Sequence, residues 1–289
     1  MAESASKLAE NACVQFGVLP DMTFVFPKEG DAKILAKKAK LSKNSEVFKT
    51  QFASGDSALI QITDISFDIF NAMLKYIYEG KITVKEDNFL ELLYVARKYF
   101  LYGLTHEVIT FGKNFINETN LDIYFEELEK FDIKILICHV KFVCYRNPLV
   151  IIKRLNFKSK ADMRLLKIIL NGNSLVCSEF DLYKEIIDMI NRTAEDLPWD
   201  DVKTEFAKMI KLIRFPTMTV DQLIKCSKPP SLLTVQQVVD LLLWVQEKTY
   251  SDTLQLFSSS PRNNPIQPIN KCSRCRGNSI RCSSCSNNY

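Results

Sequence analysis

The apolar positions change period along the chain. Residues 23–26 and 33–36 read as short strands, and Gly30 and Asp31 between them suit a turn. Over residues 41–53, Leu41, Ser45, Phe48 and Phe52 fall on one side at helical spacing. A third strand at 59–62 follows a turn at Gly55 and Asp56. Ser66 has the character of an N-cap, with Asp68 in the first turn of a helix over 67–78. Phe70, Met73, Leu74 and Ile77 form its stripe, and Gly80 is placed to stop it. The next helix carries Phe89, Leu92, Leu93, Ala96 and Phe100 before Gly103. Strands followed by helices at this spacing predict an α+β domain ending near Asn117.

Beyond Thr119 the strand signals fade. Helical periodicity recurs over 121–145, 149–155 and 163–170. Ser178 with Asp181, Thr219 with Gln222 and Thr234 with Gln237 have the spacing of N-terminal caps. A helix over 179–192 follows the first of these. The last helix is expected to bury Val235, Val238, Leu242 and Val245, with Val239 and Leu241 alongside. This half reads as all-α. From residue 251, Ser, Pro and Asn dominate, which predicts a disordered linker leading to a Cys-rich tail.

Charge changes the picture only at the end. Lys271, Arg274, Arg276 and Arg281 account for the whole excess of 38 Lys+Arg over 34 Asp+Glu. The body is neutral, unlike a domain that binds nucleic acid through a basic face. No Gly-rich phosphate loop occurs, and with only 2 His the metalloenzyme and His-based catalytic classes thin out. The longest apolar runs, 92–96 and 241–245, are far short of the roughly 18 residues that span a membrane. No basic and apolar leader opens the chain, so reduced thiols in the cytosol or nucleus are the expectation for Cys13, Cys138, Cys144, Cys177 and Cys226.

The sharpest chemical pattern is Cys272-x-x-Cys275, a six-residue spacer and Cys282-x-x-Cys285. Two CxxC pairs supply four thiolates, the ligand count of tetrahedral zinc. The spacer is shorter than in common zinc ribbons, and the alternative is a Cys- and Ser-rich tail without a metal. His106-Glu107 begins like a metalloprotease helix but lacks the second His. His139 lies among apolar residues and reads as a core histidine. The pairs Glu126–Glu127 and Asp200–Asp201 are helix neighbours that do not face each other, so they form no acid/base dyad. The lysines between Lys28 and Lys43 read as a solvated face.

Three stretches carry a family resemblance. Pro20-Asp21-Met22-Thr23-Phe24-Val25-Phe26, then Ala36-Lys37-Lys38-Ala39-Lys40-Leu41 through Ser45 to Phe48, resembles the BTB/POZ pattern Asp-Val-x-Phe, Ala-His-Lys-x-x-Leu-x-x-x-Ser-x-x-Phe, with Lys37 in place of the His. Tyr76-Ile77-Tyr78-Glu79-Gly80 and Ala96-Arg97-Lys98-Tyr99 are similar to later BTB segments. Ile213-Arg214-Phe215-Pro216-Thr217-Met218, after the helix from Ser178, resembles a BACK-domain signature. Pro261-Arg262 and Lys271-Cys272-Ser273-Arg274 are similar to the opening of a PHR domain, here expected to be truncated or lost.

The resemblance implies an α+β BTB/POZ domain at 15–118 after a flexible 1–14, an all-α BACK-like domain at 119–250, and a disordered Cys-rich tail at 251–289. It implies a non-enzymatic adaptor that dimerises through BTB, with Cys13 to Phe16 as an exchanged segment, and recruits a protein substrate to a cullin-3 ubiquitin ligase. Asp21 and Lys38 correspond to a dimer-groove pair. Phe52 and Asp56 flank the cullin-facing segment, where Ala53-Ser54-Gly55-Asp56-Ser57-Ala58 lacks the family's apolar-x-Glu motif. A BTB scaffold without cullin binding and a zinc-dependent nucleic-acid-binding factor are the alternative readings.

Overall fold

A computed structural model describes residues 19–54, 58–195, 197–248 and 256–262. The chain forms two compact units, divided between Phe115 and Ile116. Residues 55–57, where a turn with Asp56 is expected, the expected exchanged segment from Cys13 to Phe16 and the four tail cysteines lie outside the described residues.

In the first unit, β1 (Met22–Phe26) is the middle strand of a three-stranded sheet ordered β2-β1-β3. It runs antiparallel to β2 (Ala32–Ala36), with Phe24 opposite Ile34, and parallel to β3 (Leu59–Gln61), with Phe24 opposite Ile60. Its central place explains why four of its five residues are buried rather than alternating. The β1–β2 connection passes through a 3-10 turn at Pro27–Glu29 and closes at Gly30 (φ +67°) and Asp31 (φ +57°). Both are left-handed positions, free of cost for Gly and tolerated by Asp.

The helix expected over 41–53 is two helices, α1 (Lys38–Asn44) and α2 (Glu46–Ala53). Ser45 separates them in an extended conformation. Its position on the apolar face is explained by what its hydroxyl does there. The hydroxyl accepts from the Phe48 N–H at 3.3 Å, capping α2, and donates to the Tyr99 carbonyl at 2.6 Å in the core. A polar group at this depth requires both partners.

Helix α3 (Phe67–Glu79) buries Phe70, Met73, Leu74 and Ile77 as its periodicity predicts, and Gly80 (φ +73°) ends it. Ser66 holds the N-cap position, but its hydroxyl does not cap. The Glu29 carboxylate accepts from the Phe67 N–H at 2.9 Å instead. Helix α4 (Phe89–Lys98) stops two residues short of Phe100, the last residue of the expected stripe. Tyr99 is buried, whereas Phe100 adopts φ +52° and is 53% exposed. The Leu101 N–H closes this end by donating to the Ala96 carbonyl at 2.8 Å. Gly103 does not end a helix; it sits in the first turn of α5 (Tyr102–Phe115), against the Tyr76 hydroxyl, where a side chain would collide.

The described elements of the second unit are helical. The periodic stretch 121–145 divides into α6 (Leu121–Lys130) and α7 (Lys134–Arg146), because Asp132 at φ +48° turns the chain. Then come α8 (Pro148–Ile152), α9 (Lys160–Asn171), α10 (Glu179–Thr193), α11 (Trp199–Ile210), a 3-10 turn at Phe215–Thr217, α12 (Val220–Cys226) and α13 (Val235–Glu247). The core takes Leu136, Val140, Leu165, Ile169, Ile186 and Phe206. Ser178 accepts from the Asp181 N–H, while Thr219/Gln222 and Thr234/Gln237 form complete reciprocal capping boxes. His139 bonds the Ile116 carbonyl at 2.9 Å through Nε2.

Two expectations change here. In α13 the fully buried apolar residue is Leu241; Val238, Leu242 and Val245 are half-buried and Val235 is 83% exposed. The predicted stripe is rotated, because Leu241 and the buried Asp240 face the neighbouring elements. Residues 256–262, expected to belong to a free linker, pack on the second unit. Phe257 is buried edge-on against Phe215 at 5.3 Å, and the Arg262 side chain is buried with Glu179.

Ser45→Ala removes a cap and leaves the buried Tyr99 carbonyl without that donor. The expected cost is about 2 kcal/mol of stability in the first unit, read by urea unfolding.

Candidate protein-interaction site

Of the site residues expected in the first unit, Asp21, Lys38 and Phe52 lie around the corner between β2 and α1, and Asp56 lies outside the described residues. Lys37 is still extended and Lys38 is the first helical residue. The first N–H groups of a helix lack partners within it. The Lys38 N–H donates to Asp21 Oδ1 at 2.8 Å, so the carboxylate closes the helix start. The Lys37 N–H donates to the Tyr78 hydroxyl at 2.8 Å. The ammonium paired with Asp21 belongs to Lys37, with Nζ 3.1 Å from Oδ2. Asp21 and Lys38 therefore meet through the Lys38 backbone, and the charge expected from Lys38 comes from its neighbour. The sequence pattern by itself does not mark Lys37 and Tyr78 as site residues. Their signal was their place in the quoted motifs, but no periodicity says which of two adjacent lysines faces a carboxylate across a strand-to-helix change.

The Lys38 ammonium lies 5.9 Å from the centre of the Phe52 ring. This brings together residues assigned to two separate surfaces. Phe52 stacks on Phe48 at 5.7 Å and an interplanar angle of 13°, and Phe48 stacks on Tyr99 at 4.5 Å and 19°. Phe24 and Phe70 close on the same group edge to face at 4.6 Å. A half-buried ring at the surface is thus continuous with the aromatic core. Immediately after Tyr99, Phe100 and Tyr102 are 53% and 73% exposed. A bulky residue at left-handed φ costs about 1–2 kcal/mol, and Phe100 recovers little of it by burial.

Partial burial alone would raise the Asp21 pKa, but the Lys38 N–H and the Lys37 ammonium outweigh it and hold the carboxyl below its ordinary value. A cleft of about 270 Å³ lined by Phe26, Lys28, Glu29, Ile62, Thr63, Asp64, Ile65 and Ser66 contains two carboxylates, both engaged structurally. Glu29 caps α3, and Asp64 accepts from Lys98 at 2.6 Å and from the Tyr94 hydroxyl at 2.8 Å. The Lys98 bond is the main cause of the lowered Asp64 pKa, and the Asp64 bond is the main cause of the raised Tyr94 pKa. Burial pushes the Cys144, Cys177 and Cys226 thiols up to about 12, which suits packing rather than nucleophilic chemistry. Among the described residues no cluster of His, Cys, Asp or Glu is arranged to hold a metal ion, and no helix is long and apolar enough to cross a membrane.

Residues 11–116 match the family model described as the BTB/POZ domain. The chain carries a BTB/POZ domain. Over a longer stretch of the chain, BTB/POZ domain-containing protein 6-B of Danio rerio is 25% identical over 236 residues, covering 78% of this chain and 48% of that protein. BTB/POZ domain-containing protein 3 of Homo sapiens is 26% identical over 235 residues, covering 78% of this chain and 45% of that protein. The chain spans just under half the length of these relatives. Among solved structures, the BTB domain of zebrafish PATZ1 aligns with 39% of this chain and 95% of its own, at 22% identity and a TM-score of 0.32. The corner at Asp21 and the Phe52 stack both lie in this BTB/POZ domain, followed by the mostly helical second unit.

The folded-state pKa of Asp21 lies below its ordinary value of 3.8. Its charge contribution is therefore complete above that value and fades as pH falls through the folded pKa. Asp21→Asn should be less stable than the parent near pH 6, by no more than about 1 kcal/mol because the pair is partly exposed. The gap should close towards pH 3, as read by urea unfolding across that range.

Proposed function

We propose that this chain is a non-enzymatic adaptor. Its BTB/POZ domain forms a homodimer and engages cullin-3, while the second unit acts as a BACK-like spacer. A protein substrate is held for ubiquitin transfer. The observation that carries this reading is the exposed aromatic group backed by the core. Phe52 stands over Phe48, and Phe100 and Tyr102 follow Tyr99, the other ring stacked on Phe48. Rigid aromatic side chains on a packed support are typical binding anchors.

The missing apolar-x-Glu motif after Phe52 favours weak cullin binding, and the alternative is a dimeric scaffold that does not bind cullin. Zinc binding by Cys272, Cys275, Cys282 and Cys285, with nucleic acid as a partner, stands as the least favoured reading because the body is neutral.

Titration calorimetry of the N-terminal domain of cullin-3 should detect binding by the full chain. Phe100→Asn should weaken it about tenfold or more, a loss of about 1.4 kcal/mol. Stability should be kept, because Asn accepts the left-handed backbone. No heat from the parent at high micromolar concentration would remove the ligase reading and leave the scaffold.

A stable dimer of this kind buries on the order of 2,000 Å². Light scattering at micromolar concentration should give twice the monomer mass, and a monomer would exclude both the adaptor as proposed and the scaffold.

A further inference from the structure

The ends of three elements in the second unit surround the Arg262 guanidinium. Glu179 opens α10, where its negative charge suits the helix N-terminus. The carbonyls of Leu170 and Gly172 stand at the end of α9, and that of Leu212 follows α11. Carbonyls at a helix end need partners from outside the helix.

The guanidinium supplies them. Its Nε donates to Glu179 Oε1. Nη1 donates to the Leu170 carbonyl at 2.9 Å and to the Gly172 carbonyl. Nη2 donates to the Leu212 carbonyl at 3.1 Å and to Glu179 Oε2 at 3.4 Å. A guanidinium has five N–H donors in a fixed plane, and the five acceptors match them in number. The Arg262 and Glu179 side chains are only 5% and 10% exposed. A lysine has three donors on a flexible stem and cannot reproduce this plane.

The preceding residues are held as well. Arg214 donates through Nη1 to the Ser260 carbonyl at 2.9 Å and through Nη2 to Asn173 Oδ1 at 2.6 Å, and its own N–H donates to Glu179 Oε2 at 3.0 Å. Five residues before Arg262, Phe257 fills an apolar position on Phe215. Two side-chain anchors and one backbone contact have the pattern of a bound peptide rather than of a loop crossing a surface.

We propose that the second unit contains a peptide-binding groove selective for a Phe-x4-Arg segment, occupied in cis by residues 257–262. Glu179 and the three carbonyls read the guanidinium, Phe215 receives the aromatic ring, and Arg214 holds the intervening backbone. The groove holds residues 257–262 against the helical unit. Its ligand is an arginine-bearing segment of this chain, and the same groove accepts that segment in trans when the tethered copy is disabled.

The test uses the full chain and a fluorescein-labelled peptide of residues 254–264. The Phe257→Ser/Arg262→Ala chain should bind the peptide at least about tenfold more tightly than the parent, whose groove is filled. A peptide carrying Arg262→Lys should bind the variant chain at least about tenfold more weakly than the natural peptide. Equal binding to both chains, no binding to a folded variant, or equal affinity for the Lys peptide would overturn the proposal. If the variant chain does not fold, trypsin digestion of the parent decides. Cleavage after Arg262 should be at least about tenfold slower in the native chain than in the free peptide, because the buried side chain must first open. Equal rates would overturn it.

Discussion

Phe48 is the residue on which the presentation of the first unit depends. It is fully buried, stacked with both Tyr99 and Phe52, and close to Phe24 of the central strand. A ring in that position ties the sheet to α2, fixes the end of α4 and brings Phe52 to the surface with its plane already set. Ser45 makes the arrangement hold. Its hydroxyl starts the helix that carries Phe48 and holds the backbone of Tyr99, whose ring stacks with Phe48. Aromatic packing and one satisfied buried hydroxyl thus position the surface aromatics that a partner would meet.

The second unit relies on the accounting of helix ends. Short helices expose many unpaired N–H and carbonyl groups relative to their length. At the N-termini, the chain satisfies them locally with Ser178 and with the Thr219 and Thr234 capping boxes. Elsewhere it uses distant side chains. The Tyr183 hydroxyl donates to the Cys226 carbonyl and accepts from the Leu232 N–H, both at 3.2 Å, tying the segment after α12 to α10. Arg262 does the same for carbonyls near α9 and α11. Lone helix ends would be weak points, but side chains distant in sequence join them into one packed body.

The sequence was most legible where the deciding interaction is local. The strand pair around Gly30 and Asp31, the stripe of α3, its stop at Gly80 and the caps at Thr219 and Thr234 each depend on residues a few positions apart. The BTB/POZ domain was legible too, because Asp21, Leu41, Ser45 and Phe48 occur in a recognisable order. The candidate site was only partly so. Asp21, Lys38 and Phe52 were identified, but not that Lys38 connects the other two, nor that Lys37 carries the ion pair.

By itself, the sequence determined the two-part organisation, the strand and helix periods, and the burial of Phe48, Phe70 and Phe89. Those follow from hydrophobic spacing and local capping, which the chain carries wherever it lies. Only the tertiary structure decided where a periodic run breaks and which end a remote group closes. Ser45 interrupts a helix because a carbonyl 54 residues later needs its hydroxyl. Phe100 turns outward because the chain must bend after α4, and α13 rotates its buried line towards Leu241 because of the neighbours packed against it. Arg262 left what composition marked as a linker because it met five acceptors drawn from three distant helix ends. A hydrogen bond across such separations leaves no period in the sequence; it exists only when folding brings donor and acceptor within about 3 Å.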